Sequence, residues 1–109
     1  MNVEVESSKD YTIVSVEGRI DSSNASEFEK PMMEVIETGC AKIILDCSGL
    51  NYISSSGLRV FLIVLKKMVA VKGQFNICSL QPGIKEIFDI AGFTSIFSIF
   101  PDKQGAIAG

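Results

Sequence analysis

The 109-residue chain contains no histidine and no tryptophan. Without histidine, neither a Ser-His-Asp triad nor a Cys-His pair can be assembled. The chain also lacks the Gly-x-Ser-x-Gly turn of serine hydrolases, the Gly-x-x-x-x-Gly-Lys-Ser/Thr phosphate loop and the Gly-x-Gly-x-x-Gly dinucleotide fingerprint. No motif in the sequence singles out two carboxylates as an acid–base pair. We therefore expect a protein that is not an enzyme and uses no cofactor.

Cysteine is scarce, and its placement argues against cross-links and metals. Cys40, Cys47 and Cys78 are odd in number, widely spaced and set among apolar neighbours. This pattern is typical of free buried thiols rather than of disulfides. With no histidine and no Cys-x-x-Cys, a zinc site would need scattered thiols and carboxylates, so we expect no metal.

Excess positive charge and long apolar runs are also missing. The formal net charge is −3, which disfavours nucleic-acid binding through a broad basic surface. No run approaches the roughly 18 apolar residues of a membrane-spanning helix, since Lys66 and Lys67 interrupt the longest one. The first residues have no signal-peptide character. We expect a cytoplasmic protein that binds no nucleic acid and inserts into no membrane.

The N-terminal part of the chain predicts a hairpin. Val3 and Val5 alternate with glutamates, and a second strand-like run extends from Tyr11 to Gly18 after a polar stretch. Alternation of this kind is typical of two short, half-buried strands joined by a turn.

A helix is predicted after this hairpin. The run Asp21-Ser22-Ser23-Asn24 supplies helix-capping residues, and Gly39 marks the end of the helix. Pro31 lies well past the first turn of this helix, so we expect a kink or a loosely wound first turn.

The next segment predicts a strand and a long helix. The apolar run Lys42 to Leu45 indicates a strand covered on both faces, followed by turn residues. The predicted turn residues are Ser48, Gly49 and Asn51. The predicted buried stripe of the helix is Leu58, Phe61, Leu62, Leu65, Met68 and Val69. Outside it lie Val60, Ile63 and Val64, which indicate a broad buried face or, alternatively, an apolar patch that docks a partner.

The remaining elements complete an α/β pattern. Phe75–Cys78 predicts a strand, Ile84–Ala91 a helix and Ile96–Phe100 a last short strand. The order β-β-α-β-α-β-α-β implies a small mixed, mainly parallel sheet with helices packed on it. We expect one domain over residues 1–102 and a flexible Gly/Ala-rich tail over residues 103–109.

Leu45 to Arg59 carries the strongest functional signal. A buried-type strand is followed by three serines, Ser54, Ser55 and Ser56, and then by an amphipathic helix. Free N–H groups at a helix N-terminus favour negative charge and would accommodate an attached phosphate. On local pattern alone, the serines are explained as helix caps.

Two aspartates also have simple structural explanations. Asp21 is more often a cap or turn residue than a contact residue. Asp46, at the end of the buried strand, is expected to accept hydrogen bonds from nearby turn N–H groups.

The segment Asp-Cys-Ser-Gly-Leu-x-Tyr-Ile-Ser-Ser-Ser-Gly-Leu-Arg resembles the signature of the STAS domain, the fold of bacterial anti-sigma factor antagonists. Gly18-Arg19-Ile20-Asp21 and Ile87–Phe93 resemble two further segments of the family, so the likeness covers most of the chain. The antagonists carry the phosphorylated hydroxyl after an acidic residue, in the pattern Asp-Ser-Ser/Thr-Gly-Leu. On this chain Ser55 takes the phosphoacceptor position, and Ser54 departs from the pattern by replacing the aspartate.

The resemblance implies a protein–protein switch. The unmodified form would bind an anti-sigma factor that is also a serine kinase and would thereby release a sigma factor. Phosphorylation of Ser55, with ATP as the substrate of the kinase, would end this binding, and a serine phosphatase would reset it. The expected partner-binding residues are Asp21, Ser22, Ser54, Ser56, Gly57, Leu58 and Arg59.

Two alternatives remain open on the sequence. The chain could be a constitutive STAS subunit of a transport assembly, such as a bacterial phospholipid-import complex, with purely structural serines; the missing aspartate at position 54 favours this. A third hypothesis is small-molecule binding at the helix start, which thermal stabilisation by a nucleotide or an anion would reveal.

Overall fold

Five strands form one mixed sheet in a computed structural model that describes all 109 residues. The strands are β1 (Asn2–Ser7), β2 (Thr12–Ile20), β3 (Lys42–Ile53), β4 (Gln74–Cys78) and β5 (Ser98–Phe100), and they lie in this order across the sheet. β1 is antiparallel to β2, and every other neighbouring pair is parallel. The predicted mainly parallel sheet is confirmed.

Helices connect the parallel strands, as the sequence pattern predicts. They are α1 (Ala25–Glu37), α2 (Ser55–Ala70), α3 (Pro82–Ile90) and a C-terminal α4 (Lys103–Ala108). A short 3-10 helix, Phe93–Ser95, precedes β5. The predicted order of strands and helices is confirmed up to β5. α1 runs through Pro31 as one helix, with Asn24 at its N-cap.

The sheet has a separate apolar core on each face because side chains alternate along its strands. On one face Val14, Leu45 and Ile77 pack with residues of α1, α2 and α3. On the other face their neighbours in sequence, Ile13, Ile44 and Cys78, pack with Ala106 of α4. The sheet is therefore covered on both sides.

Phe61 of α2 lies at the centre of the larger core. Its ring centroid is 5.7 Å from that of Phe28 in α1 and 5.7 Å from that of Phe88 in α3. Phe75 and Phe97 approach it edge-on, with centroids at 6.5 and 6.4 Å. One residue of α2 thus ties together both neighbouring helices and the sheet, and this fixes how α2 sits on the strands.

The predicted turn at Ser48, Gly49 and Asn51 is wrong, because these residues lie within β3. β2 pairs with β3 through this region, with small register shifts. A Cβ atom on Gly49 would stand 2.7 Å from Glu17 Cγ, so the close approach of β2 favours glycine there. Strand pairing overrides the local turn preference and carries β3 to Ile53.

The predicted flexible tail needs correction, because residues 103–108 form α4. Asp102 caps it by accepting the Gly105 N–H at Oδ1 (2.8 Å). At its end Lys42 Nζ donates to the Ile107 carbonyl (2.6 Å), and the buried Asn76 Nδ2 donates to the Ala106 carbonyl (2.9 Å). The small residues that suggested a frayed tail instead let the helix approach the sheet closely.

The buried side of α2 is rotated relative to the predicted stripe. Val60 and Val64 are buried together with Phe61 and Met68, whereas Val69 is 65% exposed. The hypothesis of a broad buried face therefore accounts for Val60 and Val64, which cannot contact a partner from inside the core.

Candidate functional site

The two polar segments singled out in the sequence meet at the carboxyl edge of the sheet. β2 and β3 are parallel neighbours, so both strands end at this edge. The Ser54 N–H donates to the carbonyl of Ile20 at 2.9 Å. The junction between β3 and α2 therefore lies directly against the junction between β2 and α1, where Asp21 follows Ile20.

Ser54 is the N-cap of α2. Its backbone is extended, and its Oγ accepts a hydrogen bond from the Gly57 N–H at 3.3 Å. The cap is neutral, and no acidic residue lies in the first turn of the helix. The capping explanation is confirmed for Ser54, and its hydroxyl is thereby engaged within the domain.

Ser55 is the first residue of α2 and is exposed, whereas Ser56 is half-buried. No hydrogen bond within the protein engages the side chain of Ser55. The hydroxyl of Ser55 is accessible at the end of a helix where backbone N–H groups are unpaired. Among the three serines, position 55 combines the greatest access with the absence of a structural task.

Gly57 is buried at the point where α2 crosses the ends of the strands. A Cβ atom there would stand 2.8 Å from Ile20 Cγ2 and 2.8 Å from Ile53 Cγ1. The glycine lets the first turn of α2 rest directly on β2 and β3. Its role is to set the height of the serines above the sheet.

Asp21 organises the loop that leads into α1. Its Oδ1 accepts hydrogen bonds from the Ser23 N–H (2.9 Å) and the Ser23 hydroxyl (2.5 Å). These bonds, above all the one from the hydroxyl, lower the pKa of Asp21 below its ordinary value. The turn interpretation of Asp21 is confirmed, and its carboxylate stays charged beside the helix start.

Asn24 closes this loop onto the end of β2. The Asp21 N–H donates to Asn24 Oδ1 (2.8 Å), and Asn24 Nδ2 donates to the Arg19 carbonyl (2.9 Å). Ser22 is exposed at the top of the loop and forms no side-chain hydrogen bond. The loop is therefore held in one shape beneath an exposed Ser22.

The remaining predicted contact residues differ in exposure. Leu58 is half-buried and packs against the larger core. Arg59 is exposed on α2, and its side chain takes part in no ion pair or hydrogen bond. Leu58 therefore supports the helix from below, and Arg59 presents a free guanidinium beside the serines.

Sequence reasoning missed a pair of residues at the same edge. Arg19 and Tyr52 are register partners on β2 and β3, and Arg19 Cζ lies 4.1 Å from the centroid of the Tyr52 ring. Both are exposed. In the sequence, each lies two residues before a polar loop of the predicted site, within a segment that carries the family resemblance. Their contact depends on strand register, which the sequence pattern alone does not provide.

The other reactive side chains lie away from this edge. Asp46 Oδ1 accepts the Ser48 N–H (3.0 Å), as expected, and its Oδ2 is 3.6 Å from Lys103 Nζ. All three cysteines are free thiols, as predicted, but only Cys47 and Cys78 are buried, whereas Cys40 is half-buried. Burial raises the pKa of Cys47 and of Cys78. No group of three or more His, Cys, Asp or Glu side chains is arranged to hold a metal ion.

The site is therefore a surface rather than a cleft. It presents the exposed, unbonded hydroxyls of Ser55 and Ser22, a structured acidic loop and two arginines at the edge where two parallel strands end. Such a surface is suited to recognition by another protein and to modification of a hydroxyl.

Fold and sequence together assign the chain to a family. The STAS domain family model matches residues 2–106, and the chain belongs to the STAS domain family. Its relatives include BtrV of Bordetella bronchiseptica, provisionally named an anti-sigma factor antagonist. The two chains are 38% identical over 96 residues, which are 88% of this chain and 83% of BtrV.

Solved structures show the same fold. A crystal structure of an anti-sigma factor antagonist from Mycobacterium paratuberculosis matches with a TM-score of 0.90 at 22% identity, covering 98% of this chain and 91% of that one. The Bacillus cell fate determinant SpoIIAA in its phosphorylated form matches with a TM-score of 0.75 at 18% identity, covering 98% and 97%. No helix of the present protein combines the length and apolarity needed to cross a membrane.

Proposed function

We propose that this protein is an anti-sigma factor antagonist whose binding is controlled by phosphorylation of Ser55. Its relative BtrV, which it matches over most of the length of both chains, is provisionally named an anti-sigma factor antagonist. SpoIIAA, which has the same fold, occurs in a phosphorylated form. The observation that carries the proposal is the exposed, unengaged Ser55 at the first position of α2.

The unmodified surface is the binding-competent state in this proposal. An anti-sigma factor with serine kinase activity docks on the edge formed by Asp21, Ser22 and the start of α2, and a sigma factor is released. The same kinase transfers the phosphoryl group of ATP to Ser55. A serine phosphatase removes the phosphate and restores binding.

The energetics support a switch that leaves the fold intact. A phosphate adds a charge of about −1.5 to −2. At a helix N-terminus this charge is mildly favourable within the domain, by up to about 2 kcal/mol. In an interface fitted to a neutral hydroxyl, desolvation and repulsion cost several kcal/mol. A penalty of about 3 to 4 kcal/mol weakens binding some hundreds-fold.

Kinase assays with serine variants test the assignment of Ser55. The protein is incubated with ATP and each candidate anti-sigma factor kinase of the source organism, and modified residues are mapped by mass spectrometry. We expect one phosphate, on Ser55. Ser55→Ala abolishes labelling, whereas Ser56→Ala, a half-buried neighbour in the same turn, retains it.

Binding measurements with the same kinases complete the test. Ser55→Ala binds as the wild type does, and Ser55→Asp binds much more weakly. Absence of label at Ser55 together with undiminished binding by Ser55→Asp would remove the proposed switch and favour a constitutive subunit with structural serines.

A further inference from the structure

Arg59 is the one arginine of this protein without a partner. The sequence contains two arginines, Arg19 and Arg59. The guanidinium of Arg19 is stacked on Tyr52. The ion pairs of the molecule are Lys85–Asp89 and Lys103–Asp46, and neither involves Arg59. A rigid, strongly donating group thus stands free at the start of α2, in a protein with a net charge of −3.

Helix geometry places Arg59 next to the proposed phosphoacceptor. Ser55 and Arg59 are both exposed and are separated by four positions in α2. Residues at this spacing lie on the same side of a helix, with Cβ atoms about 5–6 Å apart. An anion placed four residues before a cation is also the more favourable order, because it agrees with the helix dipole.

Nothing on α2 competes for Arg59. The helix contains no aspartate or glutamate, and its N-cap is the neutral Ser54. A carboxylate at the cap would share the positive end of the helix with a phosphate on Ser55. With serine in its place, a phosphate would be the only anion on this helix.

We propose that Arg59 receives the phosphate carried by Ser55 and is thereby withdrawn from the docking surface. The inference rests on the proposed phosphorylation of Ser55. A phosphate offers three acceptor oxygens, and the planar guanidinium donates two parallel hydrogen bonds to such a group. In the unmodified protein Arg59 is free to bind an acceptor on the partner; in the phosphorylated protein its donors are occupied. Phosphorylation therefore adds a charge and removes a contact in one step.

The two arginines make a direct NMR test possible. Phosphoserine is incorporated at position 55 by genetic encoding, so that no kinase is needed. The Nε–Hε signals of the two arginine side chains are compared with those of the unmodified protein. We expect the Arg59 signal to shift and to exchange more slowly with water, while the Arg19 signal stays in place. An unchanged Arg59 signal, or a shift confined to Arg19, would overturn the proposal.

Titration of the phosphate provides a second readout. The proton affinity of phosphoserine 55 is followed by ³¹P NMR in the wild type, Arg59→Gln, Arg59→Lys and Lys67→Gln. If the phosphate on Ser55 pairs with Arg59, its proton affinity should be about twofold lower in the wild type than in Arg59→Gln, as is typical of an exposed ion pair. Lys67→Gln is the matched control, since it removes a positive charge from the same helix at a position roughly 18 Å along the helix axis from Ser55.

The outcomes separate this inference from the proposed function. Arg59→Lys should keep part of the effect on proton affinity, because charge remains and the planar fork is lost. Equal titration of the wild type and Arg59→Gln would exclude the pairing even if kinases label Ser55. Conversely, the Arg59 signal could shift in the encoded phosphoprotein while no kinase labels Ser55. The first result would support the pairing, and the second would remove the proposed switch.

Discussion

At the scale of single residues, the placement of the site depends on Gly57, which has no side chain. Gly57 allows α2 to rest on Ile20 and Ile53, and the serines stand at the height that this contact sets. Gly57 is therefore required because it has no side chain. The exposed Ser55 and Arg59 depend on it for their placement.

Replacing Gly57 by alanine should destabilise the fold. The new Cβ would meet two isoleucine side chains at 2.8 Å each, so the helix or the strands must shift. We expect a loss of about 1–3 kcal/mol in the free energy of unfolding, measured by urea denaturation. The control is Gly83→Ala in α3, where nothing lies within 4 Å and the change should stabilise slightly. Equal stability of Gly57→Ala and the wild type would contradict the close packing.

A second prediction at this scale concerns the charge of Asp21. Hydrogen bonds from Ser23 lower its pKa, so Ser23→Ala should raise that pKa towards the ordinary value for aspartate. The carboxyl carbon signal of Asp21, followed by NMR against pH, measures the change. Ser22→Ala is the control and should leave the pKa as it is.

The sign of the linked effect on stability follows from the lowered pKa. Asp21 contributes stability above the pKa it has in the unfolded chain, and this contribution is lost as the pH falls through the lower pKa of the folded state. Ser23→Ala should reduce that contribution. A pKa of Asp21 that is the same in the wild type and Ser23→Ala would show that the Ser23 hydroxyl does not donate a hydrogen bond to this carboxylate.

At the scale of elements, α4 is a short helix with a large effect on the sheet. It supplies the cover for Ile13, Ile44 and Cys78, which would otherwise face water. A helix of six residues is not stable by itself, so its contacts with the sheet must hold it. Opening of α4 is therefore expected to expose Cys78 before the larger core opens.

Thiol labelling tests this expectation. Ala106→Asp places a carboxylate at a fully buried position of α4 and should release the helix from the sheet. We expect the labelling rate of Cys78 to rise several-fold, while Cys47, in the other core, remains slow. Gln104→Asp on the exposed side of α4 is the control and should leave both rates unchanged. Equal acceleration of both cysteines would indicate global unfolding instead.

At the scale of the whole molecule, the larger core depends on the phenylalanine cluster around Phe61. Truncating Phe61 to alanine removes contacts with α1, α3 and the sheet at once. We expect the free energy of unfolding to fall by about 3–5 kcal/mol, which is a large part of the total stability of a domain of this size.

Urea denaturation of Phe61→Ala measures this loss. Val69→Ala, on the exposed side of the same helix, is the matched control and should change stability by less than about 0.5 kcal/mol. Similar losses in both variants would mean that α2 is not seated on the core through Phe61.

Several elements could be predicted because their signals are local. Alternating residues identified β1 and β2, the run Asp21 to Asn24 identified the start of α1, and the serines identified the start of α2. Capping, alternation and helix stops act between near neighbours, so they are visible in the order of residues.

The parts that were wrong or missed depend on residues distant in sequence. β3 continues through Ser48 to Asn51 because β2 pairs with it. α4 forms because it packs on the apolar side chains of the second face of the sheet. The contact between Arg19 and Tyr52 joins residues on two strands through their register. A local pattern contains no information about the surface that another segment will provide.

The order of residues by itself determined the alternation of strands and helices, the family likeness and the place where three serines begin a helix, since each depends on spacing along the chain. Only the tertiary structure decided which serine caps the helix and which stands free, and which arginine is stacked and which has no partner. Those distinctions arise from burial and strand register, which exist only when distant segments pack together.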